Sequence, residues 1–394
     1  MNILFLTENI IIPTIGGIER VSYSLAQGLK NKGYNIFSVY IKDINYDVFT
    51  NKDLFIKNFR WDTNEASLRD FIYENKIDVI ISQRQLGLEK TIRGAIKKSR
   101  TNCKLFSVLH CRPGYEITDK EFIRFCYSTS KGVKKIKQAI KLAAYPVFRE
   151  YLQYTCRKKM TIAWENSDKV ILLSDKFKDL FYKAYNIKKD NNKLTAINNP
   201  NSFEEYLEEE KIKNKDKTVI VVCRLEERSK RVSIILNIWK KIQEIRPKDW
   251  KLQIIGTGPD EETYKNIINS QNITGVEMTG YKHPLEYYKK ASIISVTSAN
   301  EGWGMVITEA MQMGTVPIVM KSFESLTDII DNDINGFIVH NNDTDAFTDK
   351  LLYLMNNPII LNKMAKESIS KSYNFSINNI IDKWDKLITN NHEQ

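Results

Sequence analysis

No stretch of this chain approaches the roughly 18 uninterrupted apolar residues that a membrane-spanning helix needs. Five cysteines, Cys103, Cys111, Cys126, Cys156 and Cys223, form no CxxC pair, and only four histidines accompany them. That scarcity leaves no metal-ligand spacing and suits a reduced, cytoplasmic setting. A basic leader is missing as well. The chain starts Met1-Asn2-Ile3-Leu4-Phe5-Leu6-Thr7-Glu8, and Glu8 interrupts the apolar run, so the segment reads as a buried strand rather than a signal peptide. Positive charge is plentiful, but no recognised nucleic-acid motif travels with it, so nucleic acid is not an expected partner.

What is present is a soluble globular composition, 42% hydrophobic and 27% charged, in 394 residues. That length is comfortable for two domains. The net charge of +11 is uneven: residues 1–200 carry +15 and residues 201–394 carry −4. Such asymmetry suggests that the first half faces an anionic surface or acceptor. Apolar runs at 3–7, 35–41, 77–82, 104–109, 169–173 and 194–197 predict strands, followed by 218–223, 251–256, 275–279, 293–297, 316–319 and 336–339. Helix-period stretches lie between most of them. The alternation predicts an α/β protein with parallel sheets covered on both faces. Twelve strands exceed one comfortable sheet, so two doubly wound, Rossmann-like domains are expected. Asn198-Asn199-Pro200-Asn201 and the charged, apolar-poor stretch Glu204 to Lys217 mark the seam. The expected division is 1–200, 201–375 and a final segment 376–394. Ligands of doubly wound sheets sit beyond the C-terminal strand ends, so a site is expected in a cleft between the domains.

The densest chemistry lies in Glu301-Gly302-Trp303-Gly304-Met305-Val306-Ile307-Thr308-Glu309. A strand, a glycine-containing turn and a helix start aim free N–H groups at an anion. A carboxylate stands at each end, poor at holding phosphate but good at holding hydroxyls. The expected ligand carries hydroxyls on both sides of a diphosphate, as a nucleotide sugar does. Arg224 follows the strand at 218–223, and Lys230 is expected to open the next helix, where a cation opposes the dipole unless an anion is bound. The competing reading is a solvated charge run, Glu226 to Arg231. Gly256 and Gly258 end another strand and would keep the cleft wall low for a ligand. After Gly280, the backbone of Tyr281 or Lys282 could meet a base, or form simple loop.

In the first half, Gly16-Gly17 follows strand one and precedes Glu19-Arg20; it permits close approach to an anion or serves only as a turn. His110 ends the strand at 104–109, placed to meet a sugar hydroxyl or to act as a structural residue. Residues 131–159 repeat Ile136, Ile140, Ala143, Val147 and Tyr154 at near-helical spacing among Lys131, Lys134, Lys135, Lys137, Lys141, Arg149, Arg157, Lys158 and Lys159. This stretch either lies on an anionic leaflet or buries its stripe and solvates its basic back. Asp331-Asn332-Asp333 looks like a metal-binding DxD but reads better as a turn into the next strand.

Together these segments resemble the retaining glycosyltransferases of family four, group 1, with the GT-B fold. The resemblance spans nearly the whole chain: Gly16-Gly17 with Glu19-Arg20, Leu109-His110, Asn166 to Val170 with Ser174, Asn199-Pro200, Arg224 with Lys230, Gly256-Thr257-Gly258, Ser298 to Glu309, and Asn335-Gly336. It implies that Glu301 contacts the transferred sugar, Glu309 the ribose, Arg224 and Lys230 the diphosphate, and that His110 lies beside the sugar. Trp303 stands where Phe is commoner. A final helix, about 376–390, is expected to return to the first domain. The implied reaction moves a hexose, with retained configuration and no metal or other cofactor, from a nucleotide sugar, UDP-hexose preferred and GDP-mannose open. The expected acceptor is a glycolipid or oligosaccharide precursor of lipopolysaccharide, capsule or another surface polysaccharide, and the charge asymmetry with the 131–159 stretch puts the expected setting at the inner face of the cell membrane. A nucleotide-sugar epimerase of the same fold and a charge-driven nucleic-acid binder are the alternatives.

Overall fold

The computed structural model describes every residue except 15, 43–52, 84–86, 115–122, 125–126, 128–131 and 391–394. Of the residues singled out above, Cys126 and Lys131 fall outside those described. Two compact units emerge, Met1–Ser202 with Ser376–Gln394, and Phe203–Phe375.

In the first unit, continuous apolar runs make strands that are buried on both faces; Ile3, Leu4, Phe5 and Leu6 are all 0% exposed. The strands are β1 (Asn2–Asn9), β2 (Asn35–Lys42), β3 (Asn58–Arg60), β4 (Val79–Ser82), β5 (Lys104–Val108), β6 (Lys169–Leu172) and β7 (Leu194–Ala196). They form one parallel sheet in the order β3-β2-β1-β4-β5-β6-β7. The order reverses between β1 and β4, which makes that junction the topological switch point. β3 was absent from the sequence reading. It is three residues long at the sheet edge and mostly exposed, so it carries no apolar run. The helix Ile377–Asn390 packs on this unit. Ile381 lies against Gly28 of the helix Gly17–Asn31, the Tyr34 hydroxyl donates to Asp385 at 2.5 Å, and Lys32 pairs with Asp382 at 2.7 Å.

The basic stretch forms two helices, Gly132–Ala143 and Tyr145–Asn166. Its apolar stripe does not face a core. The first of these helices buries no residue, and Ile136, Ile140, Val147 and Tyr154 are 61, 62, 76 and 65% exposed. The core-facing alternative therefore fails for these positions. Among the described residues, no helix is long and apolar enough to cross a membrane.

The second unit holds β8 (Asp216–Val222), β9 (Lys251–Ile255), β10 (Val276–Gly280), β11 (Ala291–Val296), β12 (Val316–Lys321) and β13 (Phe337–His340). Their order is β10-β9-β8-β11-β12-β13, again parallel, with the switch between β8 and β11. The charged stretch after Pro200 is packed rather than free. Gln312 Nε2 donates to the carbonyls of Phe203 (2.6 Å) and Glu205 (2.8 Å), and Ile212 joins the core beside Val219 and Val316. Tyr206 also stacks on Tyr373 at 4.1 Å, so a segment whose composition looks like linker is held by several packed side chains.

Candidate functional site

The switch point of the second sheet is where the loops after β8 and β11 meet. After β8 the chain makes a single helical turn, Glu227–Lys230, and Arg231 then takes a left-handed φ of 49° before the helix Val232–Ile242. Lys230 thus ends one short helix instead of opening the next, which corrects the sequence expectation: the left-handed residue separates the two. Two buried groups fix this turn. Glu227, 5% exposed, accepts from Ser233 Oγ (2.5 Å), Ser233 N (3.2 Å) and Tyr264 OH (2.8 Å). Burial raises its pKa, and these bonds only partly oppose that. Arg231, 6% exposed, donates to the carbonyls of Thr297 (2.7 Å) and Ser298 (2.8 Å), just past β11, and to Asn342 (2.8 Å) and Asn341 (2.7 Å). Arg231 therefore ties the β8 loop to the β11 loop.

Across that tie, Lys230 Nζ meets Glu301 Oε1 at 2.5 Å. Burial opposes the ammonium charge, but the charge and hydrogen bond of Glu301 outweigh it, and the Lys230 pKa is raised. Two residues assigned by resemblance to diphosphate and sugar are here each other's partner. Arg224, one turn earlier, is exposed.

Past Glu301, Gly304 has φ 86° and caps the helix Met305–Gln312. A residue with Cβ would be strained there and would crowd Ile307 Cδ1 at 3.0 Å. Gly302 O is held by Ser325 Oγ (3.1 Å). Trp303 is 2% exposed and meets Phe375 edge-on at 5.1 Å, which explains how the larger ring is accommodated. Met305 and Val306 open the helix, and Glu309 follows Met305 by four residues, on the same face about 6 Å along. Glu309 is buried, and Tyr288 OH donates to it at 3.0 Å. Tyr288 sits on the helix Leu285–Lys290. That helix is capped by Lys215, whose ammonium donates to Tyr288 O (2.8 Å), Ala291 O (2.7 Å) and Thr315 Oγ1 (3.0 Å), while burial pushes its pKa down to about 7.

Gly256 and Gly258 meet a packing need of their own. A Cβ on Gly256 (φ 142°) would lie 1.9 Å from Cys223 O, and one on Gly258 would lie 2.3 Å from Leu225 O. The glycines let the end of β9 press against the backbone after β8, where Leu225 N donates to Thr257 O at 2.9 Å. Gly256→Ala is expected to destabilise the protein by about 3 kcal/mol through overpacking and backbone strain, read as a lower denaturation midpoint. Tyr281 is 60% exposed after Gly280.

The first unit gathers a second group beyond its own strand ends. Gly16 caps the helix Gly17–Asn31 with extended backbone. A Cβ there would lie 2.6 Å from Glu19 Oε2, and Asn9 Nδ2 donates to Glu19 at 2.8 Å. A carboxylate therefore flanks these glycines, which disfavours the simple anion cradle expected. His110 follows β5 and shares a short hydrogen bond with Gln83. Asp331 and Asp333 are paired with Lys371 (2.8 Å) and Lys350 (3.2 Å) in a turn. Among the described residues, no group of three or more His, Cys, Asp or Glu could hold a metal ion.

Glu227, Arg231, Tyr288 and Gln83 escaped the sequence reading. Nothing in the spacing of the charge run separates the buried Glu227 and Arg231 from the exposed Arg228.

Residues 202–371 match the family model described as glycosyl transferases group 1. An uncharacterised glycosyltransferase of Haemophilus influenzae is 25% identical over 381 residues, 96% of this chain and 97% of its own. The amylovoran biosynthesis glycosyltransferase AmsD of Erwinia amylovora is 23% identical over 236 residues, 59% of this chain and 65% of its own. Anabaena HepE in complex with UDP-glucose shares the fold, with a TM-score of 0.73 at 14% identity over 99% of this chain and 100% of that one. Two parallel sheets give the chain a fold of GT-B type, and these matches make it similar to glycosyltransferases, with its second unit similar to the group 1 glycosyl transferases.

Proposed function

We propose that this glycosyltransferase moves a hexose from a UDP-sugar to a glycolipid or oligosaccharide precursor of a surface polysaccharide, with retention and without a resident metal. The carrying observation is the Lys230–Glu301 pair at the β8/β11 switch point, a cation and a hydroxyl-binding acid in one place. The UDP moiety is supported by the UDP-glucose that HepE binds, and a biosynthetic glycosyl transfer by the name of AmsD.

In this reading the bond from the anomeric carbon to the diphosphate oxygen breaks, leaving negative charge on the diphosphate and an oxocarbenium-like sugar. Arg224, Lys230 and the start of the helix Met305–Gln312, with Gly302, Trp303, Met305 and Val306 around it, stabilise the leaving group by fixed electrostatics. Glu309, oriented by Tyr288, holds the ribose hydroxyls, and Glu301 a sugar hydroxyl. Gly256, Gly258 and Tyr281 line the nucleotide side, and Gly16, Gly17 and His110 serve the transferred sugar. The acceptor oxygen attacks on the face the diphosphate leaves, and its proton passes to the departing phosphate oxygen.

The exposed faces of helices 132–143 and 145–166 supply a docking face for the inner leaflet. Their apolar side chains would insert while the surrounding lysines and arginines meet anionic headgroups. Salt-sensitive binding to vesicles containing anionic lipid is expected, and failure to bind at any salt concentration overturns this part.

Calorimetric titration with UDP, GDP and their hexose conjugates in EDTA tests the donor assignment. Selective binding of UDP species supports it. Selective binding of GDP species moves the assignment to GDP-mannose, and no binding by any of them removes it. Conversion of a nucleotide sugar to its epimer without acceptor would replace transfer with epimerisation.

A further inference from the structure

The first unit buries an amide to which the transfer chemistry gives no task. Gln83 directly follows β4, and its N–H continues the ladder to Leu6 O at 2.9 Å. Its side chain is 0% exposed. His110 stands two residues past β5, where Leu109 N–H is held by Ile171 O at 2.9 Å. β4 and β5 are parallel neighbours with Ser82 opposite Ser107, so the residues that follow them converge. There Gln83 Oε1 meets His110 Nε2 in a short hydrogen bond. The other half of the amide, Nε2, is buried with no hydrogen-bond partner among the described residues. Such an orphan is destabilising, and a methionine of similar size would fill the space without it. The bond to the imidazole is what glutamine supplies and methionine cannot.

We infer that Gln83 is a positioning residue for His110, fixing the rotation of the ring and holding the proton on Nε2 so that Nδ1 is the acceptor. This role presupposes the function proposed for His110. The amide oxygen only accepts, so the ring must donate. Among the described residues, burial alone moves the His110 pKa, down to about 4, with no charged side chain contributing. A neutral ring of fixed tautomer can face a sugar that is gaining positive charge without adding like charge to it.

Nitrogen-15 NMR of histidine-labelled protein reads the tautomer directly and requires neither donor nor acceptor. A failed donor assignment therefore leaves this readout standing. The wild type is expected to show Nε2–H. Gln83→Met is expected to show mixed tautomers and a kcat lower by about 10- to 100-fold, with KM for the donor little changed. Gln83→Glu places a carboxylate on the ring and favours imidazolium. Its activity is expected to fall near neutral pH and recover as pH rises. An Nδ1–H ring in the wild type overturns the assignment. So does an unchanged tautomer with an unchanged pH profile in Gln83→Glu, which also covers the case of a Met variant that fails to fold.

Discussion

Lys230→Ala is expected to lower kcat by about 100- to 1000-fold, the scale of removing one preorganised donor to developing negative charge. KM for the nucleotide sugar is expected to change far less. In the structure Glu301 neutralises this ammonium at 2.5 Å. A diphosphate would compete for Lys230 and release Glu301 for a sugar hydroxyl, so part of the binding energy is offset by the broken pair. In the transition state the leaving diphosphate gains charge and the competition tilts further toward it. The loss therefore falls on turnover more than on binding. Arg224→Ala is expected to act in the same direction, because its exposed side chain stands on the same loop. Steady-state kinetics with donor varied at saturating acceptor check both variants. Unchanged turnover in both would refute the role assigned to these cations.

The twelve predicted strands were legible because a parallel sheet buried on both faces leaves continuous apolar runs, as in Ile3–Leu6 and Ile293-Ile294. β3 left no such run because it borders the sheet with three residues, two of them exposed. Loop chemistry was legible in residue type but not in conformation. Arg231 takes a left-handed φ that a non-glycine residue does not announce, so the start of the following helix was misplaced and Lys230 with it. The stripe Ile136, Ile140, Val147 and Tyr154 was legible as a helix face, yet periodicity says nothing about what covers that face. Only the exposure of these side chains decided between the two readings. The pairing of Lys230 with Glu301, 71 residues apart, depends on two strands becoming neighbours, which no local pattern encodes. For Gly256, residue type was informative but the cause was not: the space it leaves belongs to the carbonyl of Cys223.

Arg231→Ala should loosen the site from beneath. The guanidinium satisfies two backbone carbonyls just after β11 and two asparagine side chains, and it is almost wholly buried. Removing it leaves those acceptors in a space that water enters poorly. The expected loss is about 1–3 kcal/mol for each acceptor left buried without a donor. Arg231→Gly loses the same bonds but sheds the strain of a left-handed L-residue, about 1–2 kcal/mol, so it should be the milder of the two. Hydrogen exchange of peptides covering 227–242 and 291–304 checks both variants, since it reports on this loop pair rather than on the whole chain. Faster exchange in both, and less in the glycine variant, is expected; equal protection to wild type would show that the tether is dispensable. Because Lys230 is the residue immediately before Arg231, weaker donor binding should accompany faster exchange even though Arg231 is assigned no contact with the ligand. A variant with faster exchange and wild-type donor affinity would mean that Lys230 and Glu301 hold each other in place without the tie beneath them.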